Sequence, residues 1–494
     1  MNLLVNTDSY KASHYLQYPK NTEVISSYIE SRGGDNEALC FFGLQHFIKS
    51  ELLKPIHAAD IEEAGEIFKL HGLPFNREGW EYILKVHAGY LPLEIEAVPE
   101  GMVLPIKNVL LQVHNTDPNC AWLTGYLETA LLRAIWYPTT VASLSRQVKV
   151  MIARYLHQTA DNLADLPFKL HDFGARGVSS AESAMIGGLA HLVNFLGTDT
   201  ALALVAARAH YHTPMAGYSI PAAEHSTITT WGKEAEVEAY RHMLHTFGAK
   251  GKLFAVVSDS YDLHHALSEL WGKKLKEEVR HQGGTLIVRP DSGEPSEIVS
   301  QSLHILAHHF GSYLNSKGYR MLPDYLRLIQ GDGISAKSIE SILARITQEG
   351  FSADNLAFGM GGALLQQVNR DTLRFAMKTS AAKVAGIWRD VYKEPKTDQG
   401  KHSKRGRLAL ICEDGHYQTI RLETLEARKN LLRPVFRNGQ LLIDESLATI
   451  RQRAELKELE FTNHYSDLDG QHRQGSKRAA SKANWFHHKI PVAR

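Results

Sequence analysis

Four short apolar runs constrain the fold more than any other feature of this chain. Leu253 to Val257 ends in Ser258-Asp259-Ser260-Tyr261-Asp262, and Thr285 to Val288 ends in Arg289-Pro290-Asp291-Ser292-Gly293. Leu326 to Ile329 ends in Gln330-Gly331-Asp332-Gly333, and Asn355 to Phe358 ends in Gly359-Met360-Gly361-Gly362. Strand and helix alternation at this spacing implies parallel βαβ units. The runs are apolar almost throughout, as strands buried on both faces are. Their polar tails fall at the C-terminal ends, where an α/β barrel or a doubly wound sheet builds its site. No GxGxxG opens the first βα unit, and the last run leads into a glycine pair, as in barrel phosphate sites made by late strands. The expected fold is therefore an α/β barrel. One acid after a strand is more often a turn or cap residue; four in the same position favour a site.

Composition narrows the function classes. The chain has 494 residues, 44% hydrophobic and 22% charged, which is the profile of a soluble globular protein. A net charge of +1 excludes nucleic-acid binding by bulk electrostatics, so any anion site has to be a local cluster. Cys40, Cys120 and Cys412 lie far apart without metal-ligand spacing, which points to a reducing compartment. The apolar run at the N-terminus is too short for a signal peptide, and no stretch approaches the ~18 apolar residues of a membrane span. A cytoplasmic protein with neither membrane nor nucleic-acid partners is expected.

Upstream, Val24 to Arg32 reads as a strand, Phe41 to Gln45 opens a helix, and Asp60 to His71 is a short amphipathic helix. Leu93, Ile95 and Ala97 alternate with Glu94 and Glu96, and Val109 to Val113 follows, which predicts a small antiparallel sheet with one wet face. A helix from Trp122 is expected to stop at Pro138, with a second helix carrying Val141, Leu144, Val148, Ile152 and Leu156 on one stripe. Leu408 to Cys412 and Tyr417 to Arg421 have β character, and after Asp469 the tail carries six Lys and Arg without an acid. These patterns divide the chain into an α+β part over 1–135, completed by a β-rich 375–460, a barrel over 136–374 and a basic tail over 461–494.

Candidate site groups gather around Lys169-Leu170-His171-Asp172-Phe173-Gly174-Ala175-Arg176-Gly177, a strand-to-helix junction with Ser179 or Ser180 as the helix cap. Arg176, Arg289, Arg370, Lys378 and the Gly361-Gly362 backbone can bind anions. Asp199, Asp262, Asp291 and Asp332 supply carboxylates, Tyr10 and Phe173 aromatic faces, and His225 an imidazole. Together they suit a ligand with phosphates, sugar hydroxyls and a flat base. Carboxylates at strand ends bind ribose hydroxyls or a Mg²⁺ that keeps several waters.

TDSYKASHY, KLHDFGARGVSS, NFLGTDT, GYSIPAAEHSTIT, VVSDSYD, IVRPDSGEP, IQGDG and AFGMGGALLQ occur in this order from the N-terminus to about Glu458. With them the chain resembles the nicotinamide phosphoribosyltransferases, type II phosphoribosyltransferases that make nicotinamide mononucleotide from nicotinamide and phosphoribosyl pyrophosphate. The resemblance implies an irregular parallel barrel and a homodimer with shared sites. In it Phe173, with Tyr10 from the neighbouring subunit, sandwiches the nicotinamide ring, and Asp199 binds the carboxamide. It places Arg289, Gly361 and Gly362 on the 5-phosphate, Asp291, Gly331 and Asp332 on the ribose, and Arg176 and Asp262 with the pyrophosphate and its Mg²⁺. Arg32, Arg370, Lys378, Lys393 and Lys401 match pyrophosphate and ATP-phosphate contacts, and Ser219 and Ser258 fall in matched binding stretches. His225 is implied to take the γ-phosphoryl of ATP as a co-substrate, with Glu224 able to orient it.

Ala175 replaces the aromatic expected there, and Gly33-Gly34-Asp35 makes a shorter loop than in the animal enzymes. Nicotinate phosphoribosyltransferase is the alternative activity. A catalytically idle relative should have lost some of Asp291, Arg289, His225 or Phe173, and all four are present.

Overall fold

The computed structural model describes residues 2–34, 36–394 and 402–462. Six parallel strands form the central sheet, in the order Gly197–Thr198, Leu170–Asp172, Leu356–Met360, Leu326–Gln330, Thr285–Arg289, Leu253–Val257. The last strand in sequence, Leu356–Met360, pairs with the first, Leu170–Asp172, so the sheet curls round on itself. Between its two ends runs the extended segment Tyr218–Ala223. Gly197 bridges Tyr218 and Ala222 bridges Ala255, both parallel, through Tyr218 N to Leu196 O at 2.7 Å and Ala255 N to Pro221 O at 2.9 Å. Read around the ring, the strands follow sequence order, as a barrel requires. The fold class is the expected one.

The second sheet is antiparallel and seven-stranded, in the order Ile387–Asp390, Phe375–Val384, Thr22–Ser31, Val109–Asn115, Leu93–Ala97, Arg433–Arg437, Gln440–Leu441. Both ends of the chain contribute to it. Glu94 and Glu96 on Leu93–Ala97 are half-buried and the edge strand Ile387–Asp390 is exposed throughout, whereas Thr22–Ser31 and Val109–Asn115 are largely buried on both faces. The hairpin of Leu408–Glu413 with His416–Arg421 accounts for the difference, because it lies across Val109–Asn115. Gln112 donates to Leu408 O at 2.6 Å and accepts from Leu408 N at 2.8 Å, and Val109 N donates to Thr419 Oγ1.

One helix, Glu128–Thr159, links the two cores. Its first turns, at Ala130, Leu131 and Ile135, pack under the antiparallel sheet, while Val141, Val148, Ile152 and Leu156 pack against the barrel. It does not stop at Pro138. An interior proline removes an i to i−4 hydrogen bond and crowds the carbonyl of residue i−4, here Ala134. That position is covered from outside the helix by Phe42-Gly43. Thr139 Oγ1 accepts from Phe42 N and donates to Phe42 O, and a Cβ on Gly43 would lie 2.3 Å from the Pro138 ring and 3.0 Å from Ala134 O. Tertiary packing and the Thr139–Phe42 bonds thus hold the helix on both sides of the proline. At the other end of the chain, helix Leu447–Ala454 packs Leu447, Ile450 and Ala454 into the barrel core. No helix among the described residues is long and apolar enough to cross a membrane.

A buried acid sits where these parts meet. Glu100 accepts from Gly43 N at 2.8 Å and Gln45 N at 3.0 Å, and burial pushes its carboxyl up to about 7. A carboxyl raised by folding contributes stability below its unfolded value, lost as pH rises through the folded one. Glu100→Gln keeps the acceptor and removes the charge. It should therefore stabilise the protein by up to about 3 kcal/mol at pH 8 and by less than about 1 kcal/mol at pH 5, measured by urea unfolding.

Candidate active site

Parallel strands in one barrel all end on the same rim, and the residues that follow each strand share that rim. After Leu170–Asp172 come Phe173 and Gly174, and after Gly197–Thr198 comes Asp199. Asp259 stands two residues beyond Val257, Asp291 two beyond Arg289, Asp332 two beyond Gln330 and Gly362 two beyond Met360. A common register therefore delivers three acids and a glycine to one mouth.

Contacts across the rim tie these residues together. The Phe173 N–H donates to Met360 O at 3.0 Å, which lays the ring over Gly359. A Cβ on Gly359 would fall 2.0 Å from that ring, so only glycine fits beneath it. A Cβ on Gly331 would meet the ring at 3.4 Å and Asp291 Oδ1 at 3.5 Å, so the aromatic face and the Asp291 carboxylate flank the same glycine. Asp291 takes a left-handed φ of 59° and accepts two parallel bonds from Arg289, both 2.9 Å. Burial alone would lower the Arg289 guanidinium, but the Asp291 pair holds it above its ordinary value. The turn Ala175–Gly177, which carries the exposed Arg176, packs on Gly362. A Cβ on Gly362 itself would meet nothing within 4 Å, so this backbone is open to a ligand. Asp199 is exposed, its N–H bonds Asp172 O at 2.9 Å, and its carboxylate accepts from the Ser219 hydroxyl.

His225 stands two residues beyond the closing segment Tyr218–Ala223 and points into this group. Its Nε2 lies 2.9 Å from Asp259 Oδ1 and 3.9 Å from Asp291 Oδ2. Asp259 is 5% exposed and also accepts from Ser292 N at 2.9 Å. Burial raises the Asp259 carboxyl, but the bonds from Ser292 and His225 outweigh it and hold it below the usual carboxylate range. With Asp259 ionised, Nε2 is the donor of this bond, so in the neutral ring the lone pair is the one on Nδ1. Beneath the rim Asp172 is fully buried and accepts from Gly174 N at 2.7 Å, and burial pushes its carboxyl up to about 6.

A family model matches the stretch of chain that carries this rim. The nicotinate phosphoribosyltransferase (NAPRTase) family model matches residues 168–440, more than half of the chain and the whole of the parallel sheet. The chain belongs to the nicotinate phosphoribosyltransferase family. The model of a nicotinamide phosphoribosyltransferase N-terminal domain matches residues 2–95. Among relatives of this family, a nicotinamide phosphoribosyltransferase of Xanthomonas campestris is 53% identical over 93% of this chain and 99% of its own. That of Acinetobacter baylyi is 31% identical over 92% of this chain and 97% of its own. In fold, the chain is similar to the nicotinate-nucleotide pyrophosphorylase of Pyrococcus furiosus, with TM-score 0.58, 16% identity and coverage of 93% of this chain and 96% of that one. It is similar also to the human nicotinic acid phosphoribosyltransferase, with TM-score 0.52, 17% identity and coverage of 92% and 95%.

Several of the expected site residues make other contacts within this chain. Asp262 caps the helix Leu263–His265 by accepting from His265 N at 2.9 Å and makes no hydrogen bond to His225 or Asp291. Asp259, not Glu224, holds His225; the Glu224 carboxylate accepts from Ser226 and caps its own helix. Ser258 is fully buried, donating to Val256 O and accepting from Trp271 Nε1, so it packs beneath the rim and is not open to a ligand. Tyr10 is 57% exposed, with Lys11 Nζ 5.4 Å from its ring centre and His14 edge-on, and no ring contact joins it to Phe173.

A second, basic group lies on the antiparallel sheet. Arg32 pairs with Glu30 at 2.9 Å, and Lys378 is lowered by burial and by Arg32, Lys393 and Lys11. Arg370 is exposed and paired with Asp371 at 2.8 Å. Lys401 and the tail from 463 lie outside the described residues. The strand-end register was the signal for Asp259, since it sits where Asp291 and Asp332 sit.

Proposed function

We infer that this protein transfers the phosphoribosyl group of phosphoribosyl pyrophosphate to nicotinamide, in the cytoplasm, giving nicotinamide mononucleotide and pyrophosphate for NAD synthesis. The observation that carries the reading is the meeting of Phe173, Gly331, Asp291 and Arg289 at one mouth. There an aromatic plate stands beside groups that suit a phosphorylated pentose. Relatives 53% and 31% identical along nearly the whole chain bear the name of this activity.

Breaking the bond from C1 to pyrophosphate develops positive charge on the ribose ring and negative charge on the leaving group. Arg176 and the Gly361-Gly362 backbone supply cationic and N–H donors at the rim. Asp291 and Asp332 accept from the ribose hydroxyls. The pyridine nitrogen of nicotinamide attacks with a free lone pair and has no proton to lose, so no general base is needed. Phe173 stacks on the ring, a face that suits the pyridinium product.

Mg²⁺ is expected with the pyrophosphate, where it neutralises charge on the leaving group. The donor atoms of His225, Asp259 and Asp291 lie within 4.8 Å of one another, but Asp259 is held by His225 and Ser292, and Asp291 by Arg289. The exposed Asp262 has one carboxylate oxygen outside its cap bond and is the freer oxygen ligand. ATP is the further co-substrate: the Nδ1 lone pair of His225, set by Asp259, suits attack on a γ-phosphoryl group. Tyr10, exposed and without a ring contact to Phe173, completes the ring sandwich from a second copy in a symmetric dimer. In that arrangement the basic group of Arg32, Lys378 and Lys393 serves the phosphates.

The test is incubation with nicotinamide, phosphoribosyl pyrophosphate and Mg²⁺, with and without ATP, followed by chromatography. Nicotinamide mononucleotide is the expected product; its absence in both arms overturns the reading. Nicotinate is the competing substrate, and the Asp199 carboxylate repels its carboxylate while accepting from a carboxamide N–H. Asp199→Asn should lower the nicotinamide-to-nicotinate ratio of kcat/KM by about tenfold or more. Steady-state rates with each substrate check it.

A further inference from the structure

Gln330 ends the strand Leu326–Gln330 and has no exposed surface. Its Nε2 donates to the backbone carbonyl of Asp291 at 2.5 Å and to that of Asp332 at 3.1 Å. One buried amide thus bridges the turns after two neighbouring strands, the turns that carry the two carboxylates of the pentose site. Oε1 is buried and unpartnered. Turning the amide over would point that oxygen at two carbonyls, so the donor orientation is the one the surroundings allow.

Asp291 needs such a hold. Its φ of 59° lies in the left-handed region, which a non-glycine residue keeps only where its surroundings impose it. The Arg289 pair fixes the side chain. The Gln330 bond is what fixes the carbonyl of the same residue, and it does so from the strand that delivers Asp332.

We propose that Gln330 is a positioning residue for phosphoribosyl transfer: its amide sets the spacing of the Asp291 and Asp332 turns, and with it the reach of both carboxylates to adjacent ribose hydroxyls. The proposal rests on the reading of the mouth as a phosphoribosyl pyrophosphate site. A carboxylate displaced by an ångström loses a charge-assisted bond to a hydroxyl, whereas the Phe173 ring, though it borders Gly331, is held independently by its N–H to Met360 O and by its seat over Gly359.

Gln330→Met keeps the length and bulk of the side chain and removes both donors. The expected result is a KM for phosphoribosyl pyrophosphate raised about tenfold or more, a KM for nicotinamide changed less than about threefold, and a thermal midpoint within a few degrees of the parent. Gln330→Leu, which likewise has no donor and suits a buried site, should show the same split and serves where the Met variant fails to fold. A residue that only filled space would lower the midpoint and the active fraction and leave both KM values alone; that result, or an equal rise in both, overturns the proposal. A parent protein that forms no mononucleotide overturns the functional reading and this proposal with it. An active parent beside variants of unchanged KM overturns this proposal alone.

Discussion

Asp291→Asn should lower kcat/KM for phosphoribosyl pyrophosphate by about a thousandfold, close to 4 kcal/mol of transition-state stabilisation, while leaving the thermal midpoint within a few degrees. Asparagine is the substitution to use because it tolerates the left-handed φ of 59° that alanine would adopt only under strain. The backbone turn therefore survives and the charge alone is lost. Two effects then add. The ribose hydroxyls lose a charged acceptor, and charge-assisted bonds are about twice as strong as neutral ones. The half-buried Arg289 guanidinium also loses its bidentate partner at 2.9 Å and keeps only the unbonded charges of Asp259 and Asp199. His225, 3.9 Å from Asp291, feels the change as well. Initial rates over a range of phosphoribosyl pyrophosphate concentrations, paired with thermal unfolding, separate the loss of function from any loss of fold. A fall of less than about tenfold would contradict the role given to this carboxylate.

Phe173→Ala should raise KM for nicotinamide by about a hundredfold and KM for phosphoribosyl pyrophosphate by less than about threefold. Stacking of a flat ring on an aromatic side chain is worth about 1–3 kcal/mol, and the upper end applies where the ring is also the wall of the pocket. The effect is separable because Phe173 lies on the strand Leu170–Asp172 side of the rim while Asp291 follows Thr285–Arg289. Phe173→Tyr keeps the face and should stay within about threefold of the parent. Equal losses in both substrates would show that the ring supports the mouth and does not bind the base.

The barrel was legible because its strands announce themselves twice, by continuous apolar runs and by polar residues at the same offset. That same offset marked Asp259, whose place two residues past Val257 matches Asp291 and Asp332, yet a carboxylate five residues past the strand, Asp262, was the one expected there. The antiparallel sheet was harder to read. Tyr28 lies opposite Lys378, and no local pattern announces a partner some 350 residues away. The burial of both faces of Thr22–Ser31 and Val109–Asn115 has the same origin, since the covering hairpin begins at Leu408. Pro138 misled for a related reason: proline ends a helix by local rules, and here Phe42-Gly43, distant in sequence, packs on the proline turn and bonds Thr139.

The central claim is that the strand ends of one barrel grip the phosphorylated pentose and its base together. A crystal structure of the protein soaked with nicotinamide mononucleotide and pyrophosphate tests it most directly. The account places the pyridine ring on Phe173 with its carboxamide at Asp199, the ribose hydroxyls on Asp291 and Asp332, and the 5-phosphate on Arg289 and the Gly361-Gly362 backbone. Nucleotide bound on the antiparallel sheet or at any other surface, with the rim empty, would contradict it.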